Sequence, residues 1–98
     1  MVRNLLLSLA IVSTPALAAT ATFQAEPAAR PGQDRFVARD SVWRCTDAGC
    51  VSTNATSTRP AIVCAALARQ VGALRSFSVD GRAFGAEELE TCNARAAN

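Results

Sequence analysis

The stretch Trp43–Cys50, WRCTDAGC, decides how this chain is built. Four residues, Thr-Asp-Ala-Gly, separate two cysteines. Asp47-Ala48-Gly49 is a turn tripeptide, because Asp and Gly tolerate the backbone angles that a reversal needs. On the N-terminal side, Ser41–Cys45 alternates. Ser41, Trp43 and Cys45 share one side, and Val42 and Arg44 share the other, which is the period of a strand. On the C-terminal side, CVST is a possible return strand. WRCTDAGC therefore reads as the tip of a β-hairpin with a loop of about four residues.

Whether Cys45 and Cys50 bond to each other or hold a metal depends on the compartment. The chain opens MVRNLLLSLAIVSTPALAAT. Arg3 supplies a positive start, and Leu5 to Val12 is an apolar run broken only by Ser8. Pro15 ends the run, and Ala16-Leu17-Ala18 is a small-x-small cleavage site. This is the pattern of a secretory signal peptide over residues 1–18, with alternative cuts after Ala19 or Ala21. A membrane span needs about 20 apolar residues, and roughly 14 lie here, Pro15 among them. No stable membrane anchor is expected after cleavage. The expected location is the periplasm or the extracellular space. No cysteine stands at the cut, so a lipoprotein anchor is not supported.

The remaining residues, 19–98, suffice for a single domain. Large apolar residues are few, so the core alone supplies only a few kcal/mol of net stability. Small exported domains often make up that shortfall with disulfides. The ten basic residues of the whole chain are all arginine and are spread along it, against eight acidic ones. Nucleic-acid binding would need them clustered.

Working outward from the hairpin, Thr20–Gln24 and Phe36–Arg39 favour strands, with a polar Pro/Gly break over Glu26–Asp34. Ser52–Thr58 reads as a polar loop. It contains an Asn54-Ala55-Thr56 sequon, a triplet too common to carry weight. Arg59–Val71, RPAIVCAALARQV, is the clearest helix. Pro60 suits its first turn, Ser57 or Thr58 could cap it, and Gly72 stops it. Val63, Cys64, Leu67 and Val71 recur on one face. Leu74–Phe84, LRSFSVDGRAF, is a hairpin about a type I′ Asp80-Gly81 turn. That register pairs Val79 with Arg82 and Ser78 with Ala83. Phe77, Val79 and Phe84 then share one face, with Ser76 and Ser78 on the other. A final helix carries Glu87, Glu88 and Glu90 near its start, where the dipole favours them, and Leu89, Cys92 and Ala96 on one face.

Four cysteines in a short exported chain favour two disulfides. Three pairings are possible. Cys45 with Cys50 would close the hairpin. Cys64 and Cys92 each lie on an apolar helix face and would meet if both helices cover the same sheet. That pairing is the one we expect. A zinc site would need two close cysteine pairs, and a thioredoxin-like catalyst Cys-x-x-Cys at a helix start. Neither is present, and no metal or other cofactor is expected. The chain has no His and no Tyr, which removes the usual triads and His-metal centres. Asp47 and Asp80 are turn residues, and the glutamates form a solvated helix face. No catalytic residue is expected. Trp43 reads first as a core residue packed beside a disulfide, with an exposed binding anchor as the alternative. Arg59 reads first as a helix start or the holder of a carboxylate within the protein, with a partner-facing role as the alternative.

The pattern W-R-C-x4-C, then S-T-R-P-A-I-V-C-x2-L-A-R, then V-G, a D-G strand pair and E-L-E-T-C-N resembles a family of short exported alphaproteobacterial proteins. They have about 100 residues and four cysteines. The resemblance covers most of the chain after the leader and implies no activity. The expected fold is α+β: a small antiparallel sheet of four to six strands, two helices packed against it, and two disulfides. The expected role is a non-enzymatic interaction or structural module of the envelope, acting on an envelope or secreted protein. An inhibitor of a secreted or periplasmic hydrolase is the alternative, working through Thr46–Gly49 or Ser52–Arg59. A thiol redox factor ranks below both.

Overall fold

Asp80 and Gly81 both have positive φ, 51° and 84°, so the tightest turn predicted by the sequence is formed. The computed structural model describes residues 20–55 and 58–96. The leader lies outside the described residues. The elements are β1 (Thr20–Pro27), β2 (Arg35–Ala38), β3 (Ser41–Thr46), β4 (Gly49–Ala55), α1 (Pro60–Val71), β5 (Leu74–Val79), β6 (Arg82–Ala83) and α2 (Ala86–Asn93). The six strands form one sheet in the order β2-β3-β4-β1-β5-β6, every neighbouring pair antiparallel. The fold is α+β, as expected.

Three hairpins build most of this sheet. In the β3–β4 hairpin, Thr46 pairs with Gly49. The loop is therefore the two residues Asp47-Ala48, tighter than the four-residue loop expected. The Thr46 hydroxyl accepts from the Ala48 amide at 3.1 Å, and Gly49 takes φ 128°. That angle is open only to glycine at low cost. The β2–β3 turn is Arg39-Asp40, since Ala38 pairs with Ser41. Arg39 sits at φ 59° there, which ends β2 one residue earlier than its apolar pattern suggested. In the β5–β6 hairpin, Val79 pairs with Arg82 and Ser78 with Ala83, the predicted register.

Two segments read as irregular are strand. β1 continues through Pro27, with its register shifting at Glu26/Pro27. β4 continues to Ala55, pairing with β1 as far as Thr20. The stretch expected as a polar loop is thus strand up to Ala55. Its polarity is tolerated because Thr53 is exposed and the buried Ser52 hydroxyl donates to the Val42 carbonyl at 2.7 Å. Residues 56–57, which hold the third sequon position and one expected cap, lie outside the described residues. The N-cap position falls on Arg59, extended at φ −60° and ψ 139°, as a residue before proline prefers.

Both helices pack on one face of the sheet. Phe23, Ala25, Phe36, Ala38, Trp43 and Phe77 point inward to meet Val63, Cys64, Leu67 and Ala68 of α1. Phe23, Trp43 and Phe77 lie with ring centroids 5.9–6.5 Å apart, and Phe84 adds to Phe77 at 4.8 Å. α2 is thinner in its contacts. Cys92 is its buried residue, with Leu89 half-buried beside the core. Asn93 compensates. Its side-chain amide bonds both backbone groups of Leu74, accepting from N–H and donating to C=O, each at 2.8 Å. The amide acts as a one-residue strand partner.

Candidate functional site

The cysteines are bonded as expected, Cys45 with Cys50 and Cys64 with Cys92. Cys45 and Cys50 stand directly opposite each other in the β3–β4 register. Cys64–Cys92 ties α1 to α2. All four residues are buried, and no free cysteine remains.

The two binding residues expected from the sequence separate. Trp43 is 0% exposed, so it offers no surface to a partner. The alternative reading of Trp43 as a binding residue is corrected: its place on the inward side of β3 puts it in the aromatic core, its leading reading. Its Nε1 is buried with no hydrogen-bond partner among the described residues. Arg59 is exposed and lines a groove of about 550 Å³ between the start of α1, the β5–β6 hairpin and the start of α2. Val79, Arg82, Phe84 and Glu88 line it with Arg59. The Thr46–Gly49 corner leaves only Asp47 and Ala48 beyond the ladder, and Arg30 bonds the exposed Asp47 carboxylate. Among the described residues, no cluster of His, Cys, Asp and Glu is arranged to hold a metal, and no helix is long and apolar enough to cross a membrane.

The broadest feature lies on the sheet face opposite the helices. Because side chains alternate along strands, the register aligns Arg35, Arg44, Val51, Gln24 and Ser78 in one row across five strands. Beside it, Val37 pairs with Val42 and Thr22 with Thr53. No described element covers this face. Val37 is 60% exposed, Val42 46% and Val51 44%. Arg35 and Arg44 are exposed and directly opposed on β2 and β3, a like-charge placement that costs stability. No described carboxylate is in ion-pair range of either; the neighbouring Asp34 is taken by Arg30 at 3.6 Å.

The sequence matches the family of unknown function DUF8200 over residues 7–94. The chain belongs to this family. The match spans the whole described sheet and both disulfides, so the surface above is the surface of a DUF8200 domain. No curated protein and no solved structure matches. Sequence reasoning missed the outer face because its residues are scattered over 22–78. Alternation within Ser41–Cys45 put Val42 and Arg44 on one side. It could not show that side to be bare.

Proposed function

We propose that this protein is an exported, non-enzymatic interaction module of the cell envelope, and that the helix-free face of its sheet is its binding surface. The observation that carries this reading is the exposed set Val37, Val42 and Val51 flanked by Arg35 and Arg44, which pair with no carboxylate among the described residues. Isolated surface valines are ordinary. Contiguous apolar groups on adjacent strands are the usual mark of an interaction surface. Unpaired guanidinium groups add directional donors for anionic groups. Two disulfides and the leader-like start support export. Full burial of the sulfurs supports a structural role, since exchange needs an accessible thiol or disulfide.

A photo-crosslinking residue placed at position 42 in the cell tests the reading, with position 90 on the exposed side of α2 as control. A discrete adduct in the envelope fraction is expected at 42, absent at 90 and lost when Arg35 and Arg44 are both changed to Glu. No adduct at 42, or equal labelling at 90, overturns it. If the captured protein is a hydrolase whose activity falls on binding, the inhibitor reading is the correct one.

A further inference from the structure

The edge of the same face carries more information than its side chains. Among the described residues β2 ends the sheet, with only β3 beside it. The Cys45 amide donates to the Asp34 carbonyl at 2.7 Å, which fixes the parity of the ladder. Antiparallel pairs alternate between hydrogen-bonded and non-hydrogen-bonded. With Asp34–Cys45 bonded, Phe36–Trp43 and Ala38–Ser41 are the bonded pairs, and Arg35–Arg44 and Val37–Val42 the non-bonded ones. The N–H and C=O groups of Arg35 and Val37 therefore point away from β3, along the free edge. The residues that offer backbone groups are the residues whose side chains stand on the outer face. Such an edge is a template for an added strand.

Proteins blunt exposed edges with very short strands, charged side chains, proline, bulges or inward-pointing charge. β2 is short and carries Arg35, but it has no proline, bulge or inward-pointing charge: it reads Arg-Phe-Val-Ala and alternates regularly between exposed and buried. The opposite edge, β6, is two residues long and offers much less. On the helix side of β2, Phe36, Pro31, Gln70 and Val71 line a groove of about 350 Å³. A side chain from an added strand would enter it opposite Phe36.

We propose that β2 captures an extended, acidic segment of a partner protein as a seventh strand. This rests on the reading of the outer face as the binding surface and adds the chemistry of what it takes. Backbone bonds to Arg35 and Val37 supply affinity, and alternate pockets supply specificity, as in other strand-addition complexes. A carboxylate on the partner strand lies beside Arg35, where it relieves the Arg35–Arg44 repulsion. An apolar side chain lies beside Val37, and the residue between them faces the Phe36 groove. Charge complementarity selects this occupant over a second copy of the chain. Pairing β2 with β2 would gather on one face four arginines that no described carboxylate pairs.

The test uses the oxidised protein recovered after export, ¹⁵N-labelled, and a capped palindromic peptide, Thr-Glu-Leu-Val-Leu-Glu-Thr, which presents the same pattern in either strand direction. Amide shifts centred on Arg35 and Val37 are expected. Affinity should fall at least tenfold for the same peptide with Lys in place of Glu, and by a similar factor for Arg35→Glu. Val37→Pro removes the outward N–H without touching the β3 ladder and should also cost at least tenfold. Its integrity is read from unchanged Trp43 and Phe77 signals. The valine N–H faces β2 in an antiparallel added strand and the leucine N–H groups do in a parallel one, so a peptide N-methylated at its valine and both leucines makes the same test on the unmutated protein. Equal binding of the Lys and Glu peptides, shifts away from β2, indifference to N-methylation, or a concentration-dependent dimer by sedimentation overturns the proposal. The position-42 adduct is measured separately. Its persistence alongside a failed peptide test refutes strand addition and leaves the face reading standing.

Discussion

Replacing Cys64 and Cys92 together with alanine should cost more stability than replacing Cys45 and Cys50, and should do so by releasing α2. The two bridges close loops of very different length, with sequence separations of 28 and 5. Restricting the unfolded chain is worth about 3.6 kcal/mol for the longer loop and about 2 kcal/mol for the shorter. Each double variant also removes two buried sulfurs, so that contribution largely cancels between them. The difference left is about 1.6 kcal/mol, roughly a 15-fold change in the folding equilibrium. In urea, with a slope of about 1 kcal/mol/M for a small domain, the midpoints should differ by about 1.6 M. Thermal midpoints should differ by roughly 6–13 °C. A core this size leaves little reserve, so both variants are best compared in the same stabilising osmolyte. The structure also says where the loss appears. Besides Cys92, α2 has the half-buried Leu89 and the Asn93–Leu74 pair to hold it. Hydrogen exchange should therefore rise over Ala86–Asn93 before it rises in β1 or β4. If removing Cys45–Cys50 is the costlier change, or exchange in α2 is unaltered, the loop argument is wrong for this fold.

Three further outcomes are expected. Gly49→Ala should destabilise by about 2–3 kcal/mol in urea unfolding, because φ 128° disfavours a side chain and the new Cβ would lie 2.7 Å from the Ala25 carbonyl oxygen; Gly32→Ala, with nothing within 4 Å, should stay within about 0.5 kcal/mol. Asn93→Ala should cost about 2 kcal/mol, since both half-buried hydrogen bonds to Leu74 disappear and leave their backbone partners behind. Trp43→Phe should cost less than Trp43→Ala by at least about 2 kcal/mol, because phenylalanine keeps most of the ring packing against Phe23 and Phe77; equal losses in thermal unfolding would show that this packing does not stabilise the fold.

Much of the local structure was legible in the chain because it is set by near neighbours. Asp80-Gly81 fixed the β5–β6 register, since a two-residue turn with positive φ at both positions admits only one pairing of its flanks. Pro60 and Gly72 bracketed α1 for equally local reasons. The expectations that failed were those in which a distant partner decides. Asn54 and Ala55 read as loop, yet they are strand because they pair with Ala21 and Thr20 of β1. Asp80 reads as a turn residue only. Its carboxylate also accepts from the Thr22 amide, 58 positions away, at 2.8 Å, and so locks the hairpin tip to β1. Asn93 carries no sequence signal for its bond to Leu74, because an exposed asparagine at a helix end would look the same.

Two of the three hairpins and both helices were legible in the chain, and one cysteine pairing of the three possible was favoured. Alternation, turn chemistry and helical spacing are properties of contiguous residues. The order that sets β1 between β4 and β5, and the side of the sheet that no described element covers, came from the tertiary arrangement alone. A strand's pattern says that its two sides differ. Which side two helices will cover depends on where all six strands and the Cys64–Cys92 bridge place those helices. That arrangement leaves Arg35, Val37, Val42 and Arg44 facing solvent on the helix-free side.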